Sequence, residues 1–296
     1  MPNDSLNESI HSTTPVTKTF FRFNRTSGLG ETLCNRLKYS ANLGFLWHAS
    51  KLGDAVYSAA QAGFEAVEFH WPYAVQPKEV VRILKECQIP ALALNTRPGD
   101  REAGEFGLAA LPGREKEARD HIDEAIAYAV EIDCCAIHVM AGITSGIDAI
   151  DAGIAYRNSL CYACETAAAH QKKILIEPIS QRAVPGYHLS TVEAAAALIH
   201  SLGHPNLKLL FDCFHTAIMQ GNVVARLSRY LSHIEHVQIA AVPDRGEPDK
   251  GELDYLVVLE ALKDMGYCGY VGAEYCPLGS TEAGLGWLAE FKARLA

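Results

Sequence analysis

The sequence predicts a closed (β/α)8 barrel that is preceded by a polar tail, and three observations lead to this fold class. From Tyr39 onward, short apolar or β-branched runs alternate eight times with longer helical patterns in the 296-residue chain. Strict alternation of this kind indicates a parallel sheet that is covered by helices. Eight units in about 250 residues is the usual size of such a barrel. The first strand is not followed by the GxGxxG turn of an open dinucleotide-binding sheet.

The predicted strands are rich in Val, Ile, Leu, Ala and Phe, as buried parallel strands are. They cover residues 39–45, 64–69, 90–95, 135–140, 173–177, 207–212, 234–240 and 270–274. Helical periodicity places the intervening helices near residues 53–62, 77–87, 114–131, 151–170, 191–202, 217–231, 254–265 and 281–293. The connection at 95–115 is too long for an ordinary βα loop. After the third strand it would lie on the C-terminal face of the barrel, where it could cover a substrate.

Residues 1–38 differ from the remainder, because they are rich in Ser, Thr and Asn and lack apolar periodicity. We interpret them as a flexible N-terminal tail, and residues 39–296 as one barrel domain. The tail has no apolar segment of the kind that a secretory signal requires.

Composition argues against some classes of function and indicates a cellular compartment. The net charge of -9 disfavours a nucleic-acid-binding protein, and no apolar stretch approaches the roughly 20 residues that span a membrane. The nine cysteines are odd in number and scattered, which favours a reducing cytoplasm over a disulfide-linked scaffold. Cys161 and Cys164 form a CxxC inside a helical pattern, so we expect helix thiols and not a redox motif.

The last four predicted strands end in side chains that carry oxygen ligands. These are Glu177, Asp212, Gln238 and Glu274. The carboxyl ends of barrel strands meet at one mouth, where three nearby carboxylates would repel one another unless a cation lay between them. Any single one could instead cap a helix or pair with an arginine. The oxygen-only set favours Mg2+ or Mn2+ over Zn2+.

Further polar residues follow the strand ends. His215 could donate a hydrogen bond to a substrate oxygen, or could simply contact backbone at a helix start. Arg245 could bind an anionic group, or could pair with neighbouring acids in its loop. Glu68 and His70 end the second strand and would also bind substrate if they face the mouth. His138, in the interior of the fourth predicted strand, is more typical of a core histidine.

This constellation suits isomerisation of a small α-hydroxy carbonyl compound. A cation that binds the carbonyl and hydroxyl oxygens would favour loss of the proton on the adjacent carbon. Glu177 and Glu274 are the natural pair to remove that proton and to return one to the neighbouring carbon, through an enediol.

Several stretches resemble one family: LIEPIS, FDCFH, VGAEYCP and, most specifically, DRGEP followed by GELDY. They are similar to the hydroxypyruvate isomerase family, among the xylose-isomerase-like TIM barrels, and the similarity covers roughly residues 40–290. The resemblance implies the same four metal ligands and the same two catalytic glutamates. Related sugar epimerases place substrate-binding groups where His215 and Arg245 fall.

The resemblance implies a sugar-acid substrate and leaves two branches of the family open. LIEPIS and PGYHLS are similar to the branch that interconverts hydroxypyruvate and 2-hydroxy-3-oxopropanoate (tartronate semialdehyde). EFGLAALPGRE and HVMAG are similar to the sister group that isomerises 2-oxo-tetronate to 3-oxo-tetronate. Ser180 and Cys276 stand where family members often have Asn and Lys, which bears on carboxylate specificity.

Other functions on the same barrel remain alternatives at this point. A ketose 3-epimerase and a non-catalytic barrel that binds a sugar acid would keep most of these residues. A phosphodiesterase of the endonuclease type would require a histidine-rich zinc cluster and a basic groove. We expect neither a nucleic-acid nor a membrane partner, and a homodimer is the default expectation for a barrel isomerase.

Overall fold

The computed structural model describes residues 36–296, which form a closed barrel of eight parallel strands in sequence order. This confirms the predicted fold class. The strands are β1 (Lys38–Asn42), β2 (Ala66–Phe69), β3 (Ala91–Asn95), β4 (Ala136–His138), β5 (Lys173–Ile176), β6 (Leu207–Asp212), β7 (Ile234–Ile239) and β8 (Tyr270–Ala273).

Helices cover the outside of the barrel. They are α1 (Leu52–Gln61), α2 (Pro77–Cys87), α3 (Glu115–Glu131), α4 (Ala149–Ala168), α5 (Val192–Leu202), α6 (Cys213–Met219), α7 (Val223–Tyr230), α8 (Tyr255–Asp264) and α9 (Gly286–Arg294). Short 3-10 turns occupy Pro72–Ala74, Leu231–His233 and Glu282–Gly284. Between residues 36 and 296, none of these helices is both long and apolar enough to cross a membrane.

The chain after β6 departs from the prediction. The single helix expected near 217–231 is two helices, and the first begins directly after the strand, at Cys213. The break falls at Gly221 and Asn222, which have left-handed φ angles of 64° and 48°. Such angles end a helix, and glycine and asparagine adopt them most readily.

The barrel begins slightly earlier than predicted. Strand β1 starts at Lys38, Leu37 is buried, and the Arg36 guanidinium binds both carboxylate oxygens of Glu65 at 2.6 and 2.9 Å. The rest of the predicted tail, residues 1–35, lies outside the described residues.

The interior of the barrel has two chemically different halves. On the β3 to β6 side, a small apolar cluster of Ala93, Ala136, Leu175 and Leu210 fills the space. On the β1, β2 and β7 side, hydrogen bonds link Ser40, Glu68 and Gln238, with His236 next to them. The large apolar core lies between the strands and the helices. Buried polar groups are costly without partners, so this polar half suggests a function beyond packing.

The two cysteines of the CxxC motif lie inside α4, as predicted, and both are free. Cys164 is buried and Cys161 is half-buried. Their position in the middle of a helix is not that of a redox motif.

Candidate active site

The structure places all four predicted metal ligands in buried positions at or near the C-terminal ends of their strands. Glu177 and Glu274 directly follow β5 and β8, Asp212 ends β6, and Gln238 lies in β7 in register with Asp212. The prediction that these side chains converge therefore follows from the barrel itself, because parallel strands present their carboxyl ends at one mouth.

A narrow cleft of about 50 Å3 opens at this mouth. Its polar lining comes from His70, Asn95, His138, Glu177, His215, Arg245 and Glu274, and its apolar lining from Phe45, Trp71, Phe106, Met140, Ile179 and Val184. Larger depressions of about 360 and 500 Å3 are lined by residues at the starts of β1 and β3. The carboxylates gather at the small cleft, so it is the candidate active site.

Glu177 is the least compensated of the carboxylates. Its Oε1 is buried and accepts no hydrogen bond from the described residues. The nearest basic groups are His138, whose Nδ1 lies 3.6 Å from Oε2, and His215, whose Nε2 lies 3.7 Å from Oε1. Burial, and then the negative charges of Glu274 and Asp212, raise the pKa of Glu177 well above its usual value. The site therefore favours additional positive charge beside Glu177.

Glu274 is held in the opposite way, by donors on both oxygens. Its Oε2 accepts a hydrogen bond from Arg245 Nη2 at 2.6 Å, and its Oε1 accepts one from Asn42 Nδ2 at 2.8 Å. His70 Nε2 lies 3.4 Å from the same Oε1. Burial alone would raise the pKa of Glu274, but the Arg245 charge and His70 lower it to about 2. Glu274 is ionised at neutral pH.

The two carboxylate oxygens of Asp212 have different partners. Oδ1 caps helix α6 by accepting hydrogen bonds from the backbone N–H groups of Phe214 at 2.7 Å and His215 at 3.4 Å. Oδ2 faces the mouth, 3.3 Å from Arg245 Nη2 and 3.6 Å from His215 Nε2. Burial raises the pKa of Asp212 to about 7, although Arg245 acts in the other direction.

His215 is buried and oriented by Ser180, whose Oγ lies 3.2 Å from Nδ1. Burial, and next the Arg245 charge, lower the pKa of His215 well below its usual value, so the imidazole is neutral. A neutral imidazole with Nδ1 bound to a hydroxyl can offer Nε2 as a metal ligand or as a hydrogen-bond donor.

The described residues contain one group that could hold a metal ion: Glu177, Asp212 and His215, with ligand atoms all within 4.8 Å of one another. The sequence predicted an oxygen-only set, and the structure adds the nitrogen of His215. A cation fits these side chains, because the buried Glu177 Oε1 has no donor among the described residues. The same is true of Oε1 of Gln238, the neutral ligand predicted from the sequence.

Arg245 lies between two of the predicted ligands, where its guanidinium contacts both Asp212 and Glu274. The rings of Phe45 and Phe214 stack on it, with centroids 4.7 and 5.0 Å from Cζ. Its backbone has a left-handed φ of 56°, and its Nε is buried with no hydrogen-bond partner between residues 36 and 296. Arg245 therefore pairs with acids across the mouth, whereas the alternative interpretation was a salt bridge with neighbouring acids in its own loop.

The two residues predicted at the end of β2 have different positions. His70 lines the cleft beside Glu274, as expected. Glu68 does not reach the cleft, because its carboxylate is inside the barrel and is bound to Ser40 and Gln238. The two residues are two positions apart and so share one face of the strand; Glu68 lies within β2, deeper in the barrel, whereas His70 follows the end of the strand at the mouth.

Sequence reasoning missed three polar residues of the mouth. Asn42 ends β1 and binds Glu274, but the predicted first strand continued to residue 45, so the strand-end rule would have pointed to Phe45. Asn95 ends both the predicted third strand and β3 and lines the cleft, so the same rule would have found it. His138 lines the cleft because β4 ends at that residue, whereas the predicted strand continued to Met140. No signal in the sequence marks that early end.

The long connection at 95–115 contributes to the cleft, as predicted. Phe106 lines it and packs edge-on against Trp71 and Tyr187, with ring centroids 6.4 and 6.1 Å apart. Gly107 forms an isolated bridge with Ala141 after β4. A side chain at Gly107 would collide with the backbone carbonyl of Met140, so glycine allows this loop to lie close to the mouth.

Comparison with known proteins agrees with this geometry. The family model described as "Xylose isomerase-like TIM barrel" matches residues 56–291. The chain is 41% identical over 263 residues to a human protein named "Putative hydroxypyruvate isomerase", covering 86% of this chain and 95% of that protein. It is 42% identical over 258 residues to the 2-oxo-tetronate isomerase of Cupriavidus necator, covering 87% of this chain and 99% of that protein.

Two solved structures also resemble the chain. A Brucella melitensis structure titled AP endonuclease, family 2 is 38% identical, with a TM-score of 0.84 and coverage of 86% of this chain and 99% of the other. A 3-keto-D-glucoside 4-epimerase from E. coli has a TM-score of 0.73 over 87% of this chain and 99% of the other. It is only 18% identical, so it shows the shared fold alone.

Proposed function

Because this chain belongs to the xylose isomerase-like TIM-barrel family, we propose that it interconverts hydroxypyruvate and 2-hydroxy-3-oxopropanoate with the help of a divalent cation. That the chain is an isomerase of small hydroxy acids follows from its relatives. The particular substrate, the cation and the roles of individual residues are the proposal.

The observation that carries the proposal is the incomplete charge balance at the mouth. Arg245 lies beside Asp212 and Glu274, whereas no donor among residues 36–296 reaches Glu177 Oε1. Mg2+ or Mn2+, held by Glu177, Asp212, Gln238 and Glu274, would balance these charges and polarise the substrate carbonyl. His215 is close enough to join this set or to bind a substrate oxygen.

Glu177 and Glu274 perform the proton transfers in this proposal. One glutamate, as the carboxylate, removes a proton from the hydroxyl-bearing carbon of the substrate, and the other, as the carboxylic acid, gives a proton to the adjacent carbonyl carbon. The hydroxyl proton passes to the former carbonyl oxygen, so the enediol rearranges with no net gain or loss of atoms. Coordination through one oxygen would leave a lone pair on the second oxygen of each glutamate for the proton, and on Glu274 that oxygen also accepts a hydrogen bond from Arg245 or Asn42.

Arg245 supplies recognition of an anionic substrate. Within the part of the chain that the structure describes, its buried Nε has no hydrogen-bond partner, although a guanidinium can donate along two edges. A substrate carboxylate could therefore be bound by Arg245 while Nη2 still contacts Glu274. His70 and His138 face the same cleft and can donate to the remaining oxygens.

The isomerisation of 2-oxo-tetronate is the second candidate, and one observation favours it. The relative with that name is as similar to this chain, at 42% identity, as the human protein is at 41%. The narrow cleft of about 50 Å3 favours the three-carbon acid. A fourth carbon would have to be accommodated against the Phe106 side.

A nuclease function is not supported by these side chains, despite the name of the Brucella structure. The chain carries a net charge of -9, and residues 36–296 offer a single metal-binding group with one histidine. A phosphodiester-cleaving site would need a cationic groove to bind the nucleic-acid backbone.

The test is turnover of hydroxypyruvate and of 2-oxo-tetronate, side by side, on metal-stripped protein with and without added Mg2+ or Mn2+. We expect conversion only with added metal, and a higher kcat/KM for hydroxypyruvate. Faster conversion of 2-oxo-tetronate would favour the second candidate. If neither acid is converted while metal is demonstrably bound, the barrel binds a sugar acid without isomerising it.

A further inference from the structure

The polar half of the barrel interior contains a buried carboxylate that the proposed mechanism does not use. Glu68 is 1% exposed. Its Oε1 accepts a hydrogen bond from Ser40 Oγ at 2.6 Å and lies 2.9 Å from His236 Nε2. Its Oε2 accepts one from Gln238 Nε2 at 2.8 Å. A carboxylate in this position would cost several kcal/mol without its partners, so a function for it is worth seeking.

Strand β8, which does not pair with β2, also leaves room for Glu68. Gly272 on β8 pairs in register with Ser40 on one side and with Gln238 on the other. A Cβ atom on Gly272 would collide with Glu68 Oε1 and lie within 3.0 Å of His236 Nε2. Four strands, β1, β2, β7 and β8, thus contribute to the space around this carboxylate.

The contact with Glu68 fixes the orientation of the Gln238 amide, because the two ends of an amide are chemically different. A carboxylate accepts hydrogen bonds, so the NH2 group of Gln238 must face Glu68, and the reverse orientation would place two acceptor oxygens in contact. The carbonyl Oε1 is then on the other branch of the amide, and it is buried without a donor among the described residues.

We infer that Glu68 is a positioning residue that orients the Gln238 amide, so that its carbonyl oxygen, and not its NH2 group, is presented to the divalent cation. This inference rests on the proposed function, since it assumes the cation. An NH2 group turned toward the cation would repel it. Outer groups that orient metal ligands typically change metal affinity by about 10–100-fold when they are removed.

The chain offers a matched control for this role. Ser40 binds only Oε1 of Glu68, whereas Gln238 binds Oε2. Ser40→Ala therefore removes one buried hydrogen bond of the same network without removing the contact that orients the amide. If loss of a buried hydrogen bond simply loosened the barrel interior, both variants would bind Mn2+ more weakly. If Glu68 orients the amide, only Glu68→Gln should bind Mn2+ more weakly.

The experiment measures Mn2+ binding to metal-stripped protein by calorimetry, for the wild type, Glu68→Gln, Ser40→Ala and the double variant Glu68→Gln/Gln238→Glu. We expect Glu68→Gln to weaken Mn2+ binding about 10–100-fold, because the new amide can accept as well as donate. Ser40→Ala should bind as the wild type does. The double variant should recover affinity, since the new amide donates to the new carboxylate, which again presents an oxygen to the ion.

Thermal unfolding without metal gives an independent readout. Gln238→Glu alone brings two carboxylates into contact and should lower Tm, and adding Glu68→Gln should restore it. Equal Tm values for the single Gln238→Glu and double variants would overturn the orientation. Unchanged Mn2+ affinity in Glu68→Gln would overturn the role of Glu68 alone, whereas a wild type that does not bind Mn2+ would overturn both this role and the proposed cation.

Discussion

Replacing Glu274 with glutamine tests the proposed proton transfer most directly. The substitution keeps the size of a side chain that accepts hydrogen bonds from Arg245 at 2.6 Å and Asn42 at 2.8 Å, but an amide cannot accept a proton from carbon. A positioned acid or base typically contributes about 10²–10⁴-fold to a rate. We therefore expect kcat to fall by about 10²–10⁴-fold, which corresponds to roughly 3–5 kcal/mol of activation free energy.

The fold should survive this change. Losing one charge-assisted hydrogen bond costs about 1.5–3 kcal/mol, but removing a negative charge also relieves the repulsion that raises the pKa of Glu177. Thermal unfolding should show a modest change in Tm. Glu65→Gln is a matched control, because Glu65 also binds an arginine, Arg36, but at the other end of the barrel.

The assay is turnover of hydroxypyruvate at saturating Mn2+, together with exchange of the substrate C–H hydrogens in D2O. Glu274→Gln should lose both, and Glu65→Gln should keep both. Turnover within tenfold of the wild type in Glu274→Gln would refute the acid–base role of Glu274. Lost turnover with retained C–H exchange would assign proton removal to Glu177.

Four further predictions concern binding, stability and the chain terminus. Arg245→Lys loses the planar donor fork, so KM for either sugar acid should rise about 10–100-fold with a smaller change in kcat, as steady-state kinetics would show; an unchanged KM would remove Arg245 from substrate binding. Because the pKa of Asp212 is raised to about 7, protons should compete with the cation, and calorimetry should show Mn2+ affinity falling about tenfold per pH unit below that pKa. In metal-free protein, stability changes with pH in the direction opposite to Mn2+ affinity. Between about pH 4 and pH 7 the folded state keeps a proton on Asp212 that the unfolded state has lost, so the free energy of unfolding should fall as pH rises through this range, as urea titrations would show. Deleting residues 1–35 should leave activity nearly unchanged, and failure of the shortened chain to fold would show that those residues pack on the barrel.

The fold could be predicted from sequence because each strand and helix carries its own periodic pattern. Even so, the helix after β6 was placed too late, since its start depends on the capping contacts of Asp212 and its break depends on the backbone at Gly221 and Asn222. The start and the break of this helix depend on local backbone conformation, which hydrophobic periodicity does not predict.

The convergence of strand-end carboxylates could also be predicted, because it follows from parallel topology. The partners of each carboxylate could not. Arg245 reaches Glu274 only because its loop places the guanidinium across the mouth, and Glu68 is bound inside the barrel because β2 continues to Phe69 and leaves Glu68 below the mouth. Distances between elements and the facing of residues at strand ends are set by packing in three dimensions, and a single sequence does not carry them.

Main-chain N–H groups of the loop after β8 donate hydrogen bonds to the loop after β7. These bonds affect which residues of the site can change during evolution. The N–H of Cys276 donates to the carbonyl oxygen of Arg245 at 2.7 Å, and the N–H of Leu278 donates to the Glu247 carboxylate at 3.0 Å. Neither bond involves the side chain at position 276 or 278, and both side chains are exposed. A lineage could therefore exchange the residue at position 276, lysine or cysteine included, and change what the rim offers to a substrate without moving the arginine. In this barrel the main chain keeps Arg245 in place, whichever side chain stands at position 276.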